Sequence, residues 1–386
     1  MPELRPVHLL VCSAVLACLI YYANFGPEPE PKMPIMTADY EHAVILVTGA
    51  AGFIGSHTCL QLLSEGHTVI GVDNLSRGNI GAIRVLSSIS EKDLFLFRNI
   101  DLGNKEAIED LFRHQQIDVV MHFAAIAYVG ESVSEPLRYY HNVTSNTVFL
   151  LEAMQKAGVK QLVFSSSCST YGGVPQSSIP VTENTPTAPN NPYGWSKWMA
   201  ERAIMDHAAA NKEMRVAILR YFNVYGSDPE GRLGEYPRPE LRHHGRISNA
   251  CLDAALGHVP YLTITGAKHP TRDGTCIRDF IHVTDLAGAH AKVMDFLANP
   301  PVVYNVGTGR GVSVREFVDA CIKVTGKDID VRVQQEPRPG DYPEMWAVPK
   351  KITAETGWSP RYLDIKEGLA HAWQWRQSHP NGYDSQ

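Results

Sequence analysis

One stretch, residues 44–73, decides most of the architecture. Val44-Ile45-Leu46-Val47 is a short apolar, largely β-branched run and reads as a buried strand. Thr48-Gly49-Ala50-Ala51-Gly52-Phe53-Ile54-Gly55 follows at once, with its glycines spaced G-x-x-G-x-x-G. Ser56 to Ser64 then reads as a helix with Leu60, Leu62 and Leu63 on it, stopping at Gly66. Thr68 to Asp73 is a second strand, and it ends in an acid. In this order the tight turn brings the amides of Gly52, Phe53, Ile54 and Gly55 onto a pyrophosphate at a helix N-terminus. Asp73 lies 18 residues after Gly55, near the distance at which a carboxylate accepts from an adenosine ribose. A carboxylate there repels a 2′-phosphate, so NAD is expected rather than NADP; Arg77 is the nearby group of opposite sign.

The βα alternation continues. Leu94–Phe97 is a strand leading to Asp101, placed to reach the adenine edge, with Leu102 beside it as Asn74 is beside Asp73. Ile117–Phe123 is another strand, and Phe123-Ala124-Ala125 lets the backbone lie against the cofactor. A helix over 144–157 and the strand Leu162–Phe164 follow. The pattern predicts an α/β fold with a doubly wound parallel Rossmann sheet.

The 386 residues are 44% hydrophobic and 20% charged, which suits a full core and excludes disorder. A formal net charge of −6 and no basic stripe exclude a nucleic-acid binder. Seven scattered cysteines show neither a disulfide framework nor metal spacing, so no metal is expected. Val7–Phe25 is a run of 19 mostly apolar residues, close to a membrane span. Arg5 precedes it, and Glu28 and Glu30 follow, which orients the bulk of the chain away from the cytoplasm. Residues 1–25 therefore read as a signal anchor, with a cleaved signal peptide second and a soluble chain with an apolar tail third. Residues 26–42, rich in proline, read as an extended stem.

Two further stretches carry chemistry. Strand Leu162–Phe164 empties into Ser165-Ser166-Ser167-Cys168-Ser169-Thr170-Tyr171-Gly172, at the strand end where such sheets bind ligands. Asn190-Asn191-Pro192 then opens a helix carrying Tyr193 and Lys197. Four residues apart, these two share one helix face. A phenol is a poor base at neutral pH, and a fixed ammonium one turn away favours its phenolate.

Together Gly49-x-x-Gly52-x-x-Gly55, Ser165–Gly172 and Tyr193-x-x-x-Lys197 resemble the extended short-chain dehydrogenase/reductases. Leu219–Gly226, Gly274–Val283, Tyr304–Gly309 and Arg338-Pro339-Gly340-Asp341 resemble the UDP-glucose 4-epimerase family within them. Tyr139–Thr147, Gly226–Glu235 and His244-Gly245-Arg246-Ile247-Ser248 are similar to its plant-type UDP-arabinose 4-epimerase branch. The resemblance implies NAD-dependent epimerisation of a UDP-sugar at carbon 4 through a 4-keto intermediate. UDP-arabinopyranose and UDP-xylose are the expected pair, with UDP-glucose and UDP-galactose the alternative. It assigns Tyr193 as base, Ser167 as its hydrogen-bonding partner on the sugar hydroxyl with Ser169 second, and Lys197 as ligand of the nicotinamide ribose beside Tyr221. It assigns Arg278 and Arg338 to the UDP diphosphate, Asp341 to the uridine ribose, and Asn223 and Thr263–Thr265 to the nucleotide site.

An NAD-binding domain over 43–223 and a smaller α/β nucleotide-sugar subdomain over 224–386 follow from the same resemblance. So do a Golgi membrane protein with a lumenal catalytic part, cytoplasmic being the alternative, and a homodimer through helices 144–157 and 193–209. The chain departs from the family at Ala127, where a lysine is frequent, at Met345, and at Trp195 inside the Tyr-Lys motif. A dehydratase needs an acid where Cys168-Ser169 stand, which counts against that activity. The intact Tyr193, Lys197 and Ser167 count against a non-enzymatic NAD sensor. Sequons at Asn74 and Asn142 fall in the expected pocket or a packed helix, so neither is expected to carry glycan.

Overall fold

The computed structural model describes residues 42–91, 93–244, 246–337 and 341–385. Its central sheet has seven strands: β1 Val44–Thr48, β2 Thr68–Asp73, β3 Phe95–Asn99, β4 Val119–His122, β5 Gln161–Ser165, β6 Arg215–Tyr221 and β7 Val302–Val306. They lie in the order β3-β2-β1-β4-β5-β6-β7, every pair parallel. The chain winds outward in one direction from β1 and in the other from β4. Ligand crevices form at such a reversal, outside the carboxyl ends of the strands.

Successive residues point to opposite faces, and both faces are buried. Ile45, Val47, Val119, Met121, Ala217 and Leu219 join one core. Leu46, Val120, Val216 and Ile218 join the other. Burial on both sides is why these strands read as unbroken apolar runs. Helices α1 Phe53–Ser64, α2 Ile80–Ile89 and the later Val283–Lys292 cover the first face. Helices α3 Lys105–His114, α4 Asn146–Ala157 and α5 Pro192–Ala210 cover the second.

The expected start of α5 holds in detail. Pro192 opens the helix, and the Asn191 side-chain oxygen accepts the Gly194 amide at 2.9 Å. Ahead of α4, Tyr140–Ser145 forms a π-helical turn. Asn142 in that turn accepts the Ile126 amide at 2.7 Å, below the cofactor-side loop. Past residue 224 the chain builds a second core around Leu252, Ile264, Phe280, Phe317 and Trp373. The Phe280 and Phe317 rings stack at 4.3 Å. The chain returns to the main sheet only as β7.

One charged group is buried where α5 meets the sheet. Glu201 on α5 is fully buried, and its carboxylate takes both arms of Arg220 on β6, at 2.9 and 2.5 Å. The Ser166 hydroxyl donates to the same carboxylate. A buried carboxylate is tolerated only when paired and fully hydrogen-bonded, and this one is both. The carboxylate thus ties α5, β6 and the serine loop after β5 to one point.

The membrane expectation is corrected. It rested on residues 1–25, which lie outside the described residues, as does most of the stem. Among the described residues no helix is long and apolar enough to cross a membrane. The Golgi-membrane placement built on that span is withdrawn.

Removing one partner of a buried pair strands the other as an uncompensated charge. Arg220→Met should lower unfolding stability by about 3–5 kcal/mol, read from the denaturant midpoint. The double variant Arg220→Met/Glu201→Leu should recover much of that loss. Equal loss in both would show that the ion pair is not what holds the helix.

Candidate active site

The described residues nominated from the sequence converge on one cleft of about 1200 Å³ at the carboxyl ends of the strands. Its cofactor side is built by the glycine turn. Gly49 adopts φ +75°, and a Cβ there would lie 2.8 Å from the Ala124 nitrogen. A Cβ on Gly55 would meet the Gly49 carbonyl oxygen at 2.1 Å. Only glycine lets α1 start this close to β1 and β4. No side chain caps α1, so the amides of its first turn face the cleft. That open cradle fits a dinucleotide pyrophosphate.

Asp73, at the end of β2, accepts the amides of Ala51 at 3.0 Å and Leu75 at 2.7 Å. Burial raises its carboxyl above the ordinary range, against those two amides. Asn74 donates to Asp101 at 2.8 Å, and Leu102 lines the same end. Arg77, the cation near Asp73, is ion-paired to Glu131 at 2.5 Å. The opposite wall is Phe123, Ala124 and Ala125.

The reacting pocket lies at the middle of the cleft. Tyr193 and Lys197 are buried on one face of α5, as their spacing requires. Burial, with Tyr221 beside it, pushes the Tyr193 phenol above its ordinary value. A hydrogen bond with the Ser167 hydroxyl and the charge of Arg246 act the other way. Ser169 instead lies beside Tyr342, whose phenol it acts to lower against the effect of burial. Lys197 donates to the Ser165 carbonyl at 2.7 Å, and burial brings its ammonium down to about 7. Spacing put Lys197 forward as the cation that tunes the phenol; in the structure one of its N–H groups donates to the Ser165 carbonyl, and the charge of Arg246 also favours the phenolate. Tyr221 pairs with the Ser165 hydroxyl at 2.7 Å.

At the far end, Arg278 donates to the Tyr342 carbonyl at 2.8 Å and its guanidinium lies 4.6 Å from the Tyr342 ring centre. The neighbouring Asp279 is fully buried and raised to about 7 by burial. It accepts from the amides of Thr308 at 2.9 Å and Gly309 at 3.1 Å, fixing the strand that carries Arg278. Asn223, Thr263, Thr265 and Asp341 line this end, while Ile264 turns into the core. Asp341 lies beside the His269–Cys276 pair, whose Nε2 and Sγ are 3.2 Å apart. Arg338 lies outside the described residues.

The sequence reading missed Tyr342, Glu201, Arg220 and Arg246 as parts of the site. Met345 is fully buried with Cys168, Tyr171 and Phe222. Trp195 packs edge-on against Trp198 at 5.7 Å and is not part of the cleft lining. The five described cysteines are buried and form no disulfide among the described residues.

Comparisons with known proteins agree with this geometry. The NAD dependent epimerase/dehydratase family matches residues 45–307. The chain is 55% identical to the probable UDP-arabinose 4-epimerase 3 of Oryza sativa subsp. japonica over 343 residues, 88% of this chain and 84% of that one. It is 50% identical to UDP-arabinose 4-epimerase 1 of Arabidopsis thaliana, across 97% of this chain and 89% of that one. Among solved structures it is similar to UDP-glucose 4-epimerase from Bifidobacterium longum in complex with NAD+ and UDP. That match has a TM-score of 0.82 and 37% identity, covering 88% of this chain and 99% of that one. A UDP-glucose-4-epimerase from Stenotrophomonas maltophila with bound NAD and formylated UDP-arabinopyranose gives a TM-score of 0.82 at 35% identity, covering 88% and 99%. With its glycine turn, its Ser-Tyr-Lys pocket and relatives matched over nearly their whole lengths, the chain belongs to the NAD dependent epimerase/dehydratase family, in its UDP-sugar 4-epimerase branch.

Proposed function

We propose that this chain is an NAD-dependent UDP-sugar 4-epimerase, with UDP-arabinopyranose and UDP-xylose as its substrate pair. The observation that carries the reading is the buried Tyr193–Ser167 pair, set between an uncapped helix N-terminus and the Arg278 strand. The plant relatives named UDP-arabinose 4-epimerases support the pentose pair. Residues 43–223 hold the cofactor and residues 224–386 the nucleotide sugar.

The first turn of α1 and Gly49–Gly55 seat the pyrophosphate. Asp73 receives the adenosine ribose, with Asn74, Asp101 and Leu102 on the adenine side. Phe123, Ala124 and Ala125 form the thin wall, and Tyr221 and Lys197 hold the nicotinamide ribose. NAD, when bound, supplies the hydride acceptor and donor for carbon 4 of the sugar. Tyr193 takes the proton of the 4-hydroxyl, and Ser167 holds that oxygen. Arg278, Arg338, Asp341 and Asn223 grip the UDP. The keto-sugar turns over while its UDP stays held, and Tyr193 returns the proton as the opposite face is reduced. The cycle has no net redox change, so the cofactor serves many turnovers without exchange.

UDP-glucose and UDP-galactose are the second reading, favoured by the UDP-glucose 4-epimerases among the similar structures. A homodimer through α4 and α5 belongs to the same proposal. It is supported by Met199 at 39% exposure on α5, and by Val133 and Leu137 at 55% and 71% on the helical turns packed beside it.

Tyr193→Phe should cut turnover by on the order of 10²- to 10⁴-fold while bound NAD and the denaturant midpoint stay unchanged. Undiminished turnover would remove Tyr193 as the base. Purified protein given UDP-xylose should form UDP-arabinose with no NAD added; conversion of UDP-galactose alone would select the hexose reading. Light scattering should give twice the chain mass, and a monomer would reject the dimer.

A further inference from the structure

Arg246 is a charged group in the cleft to which the ligand assignments above give no role. It occupies the N-cap of helix Ile247–Ala255 with no side-chain cap of its own. A cation at a helix N-terminus has the wrong sign for the helix dipole, so helix stability does not account for it. It belongs to the nucleotide-sugar half, yet its guanidinium carbon lies 5.9 Å from the ring centre of Phe53, the first residue of α1. It also faces Tyr128, Tyr193 and Tyr221 around the reacting pocket.

Its one ion-pair partner among the described residues is Glu235, held through a single oxygen. The other oxygen of Glu235 is buried without a hydrogen-bond partner among the described residues. Glu235 is itself fixed. The Tyr383 hydroxyl bonds both the Gly234 amide, at 3.0 Å, and the Gly234 carbonyl, at 2.9 Å. A Cβ on Gly234 would collide with the Trp375 ring at 2.2 Å. A rigid carboxylate therefore presents the guanidinium toward the uncapped end of α1. Glu235 neutralises the guanidinium in this pose, and an anion seated on the uncapped first turn of α1 would compete with it for the same charge.

We propose that Arg246 is a diphosphate-binding residue that reaches across the cleft, with Glu235 as the carboxylate that orients and restrains it. A planar guanidinium suits a diphosphate, whether from NAD or from the UDP-sugar. Its contact with Phe53 places the NAD pyrophosphate nearer. Because Arg246 comes from the opposite half, a diphosphate held this way ties the two walls of the cleft together. The assignment rests on the proposed epimerase reading.

The test uses full-length purified enzyme with wild type, Arg246→Gln, Arg246→Lys and Glu235→Gln. NAD retained per chain is measured by chromatography of the denatured protein after dialysis, and UDP affinity by calorimetry. Arg246→Gln should retain NAD or bind UDP on the order of ten- to a hundred-fold less well, with Arg246→Lys in between. Loss of NAD at unchanged UDP affinity assigns the cofactor pyrophosphate; the reverse assigns the UDP diphosphate. Glu235→Gln should tighten binding of the same ligand, a gain that a merely structural ion pair would not produce. Wild-type retention of both ligands in Arg246→Gln, or weakened binding in Glu235→Gln, would overturn the proposal. A wild-type enzyme that carries no NAD and converts no UDP-sugar would instead overturn the epimerase reading itself.

Discussion

The active-site half of this molecule depends on one buried carboxylate. Tyr193, Lys197 and Glu201 stand four residues apart, so they form one stripe along α5. The first two face the cleft and the third anchors the stripe. Glu201 is held by the Arg220 fork from β6 and by Ser166 from the loop after β5. A fork bound to a carboxylate allows little sliding or rotation, so it sets the register of α5 on the sheet. The same two neighbouring elements supply the rest of the pocket. Ser165 and Ser167 flank Ser166, and Tyr221 follows Arg220. An ångström of slip in the helix would separate Tyr193 from Ser167, and proton transfer is sensitive to displacements of that size.

Burial has opposite effects on the two titratable groups of the pocket. It raises the Tyr193 phenol and lowers the Lys197 ammonium, because in each case the neutral form is the one that loses less on leaving water. Desolvation alone therefore works against a phenolate. The Ser167 hydroxyl and a nearby cation work for it, and that cation is Arg246. Lys197 donates one of its hydrogen bonds to the Ser165 carbonyl, which keeps the ammonium at the floor of the pocket beside the Phe164 ring at 5.1 Å.

The parts legible in the sequence were those fixed by backbone pattern. Glycine spacing, unbroken apolar strands and the Asn191–Pro192 start each dictate local geometry, so the sheet, α1 and α5 were readable. The positions of Tyr193 and Lys197 on one face followed from helix period alone. The partners of those side chains did not. The pairing of Glu201 with Arg220 was not legible, since nothing local says that a helix and a strand will bury them against each other. Arg246 stood out only as part of the His244–Ser248 stretch, because its contacts with Glu235 and Phe53 span 11 and 193 residues of chain. Helical spacing put Lys197 on the face of the phenol, but spacing does not show that the Ser165 carbonyl takes one of its N–H groups. Tyr342 was hidden for the same reason, while Met345, three residues on, turned into a small core.

The two halves of the cleft are also tied below the site. Arg238, from the nucleotide-sugar half, donates to the carbonyls of Leu75 and Gly78 in the loop after β2, the latter at 3.1 Å. That loop carries Leu75 at φ +57°, a left-handed conformation that costs energy for a residue other than glycine and persists only under external restraint. The Leu75 amide is one of the two that satisfy Asp73. The restraint on Asp73 therefore runs through an arginine 163 residues after Leu75 in the chain. Moving that loop would require Arg238 to release both carbonyls, so the two bonds resist its displacement. In an enzyme whose cofactor is reduced and reoxidised within one turnover, that resistance is an advantage. Nothing in the cycle requires the cofactor to leave, and losing it in the reduced state would strand the keto-sugar.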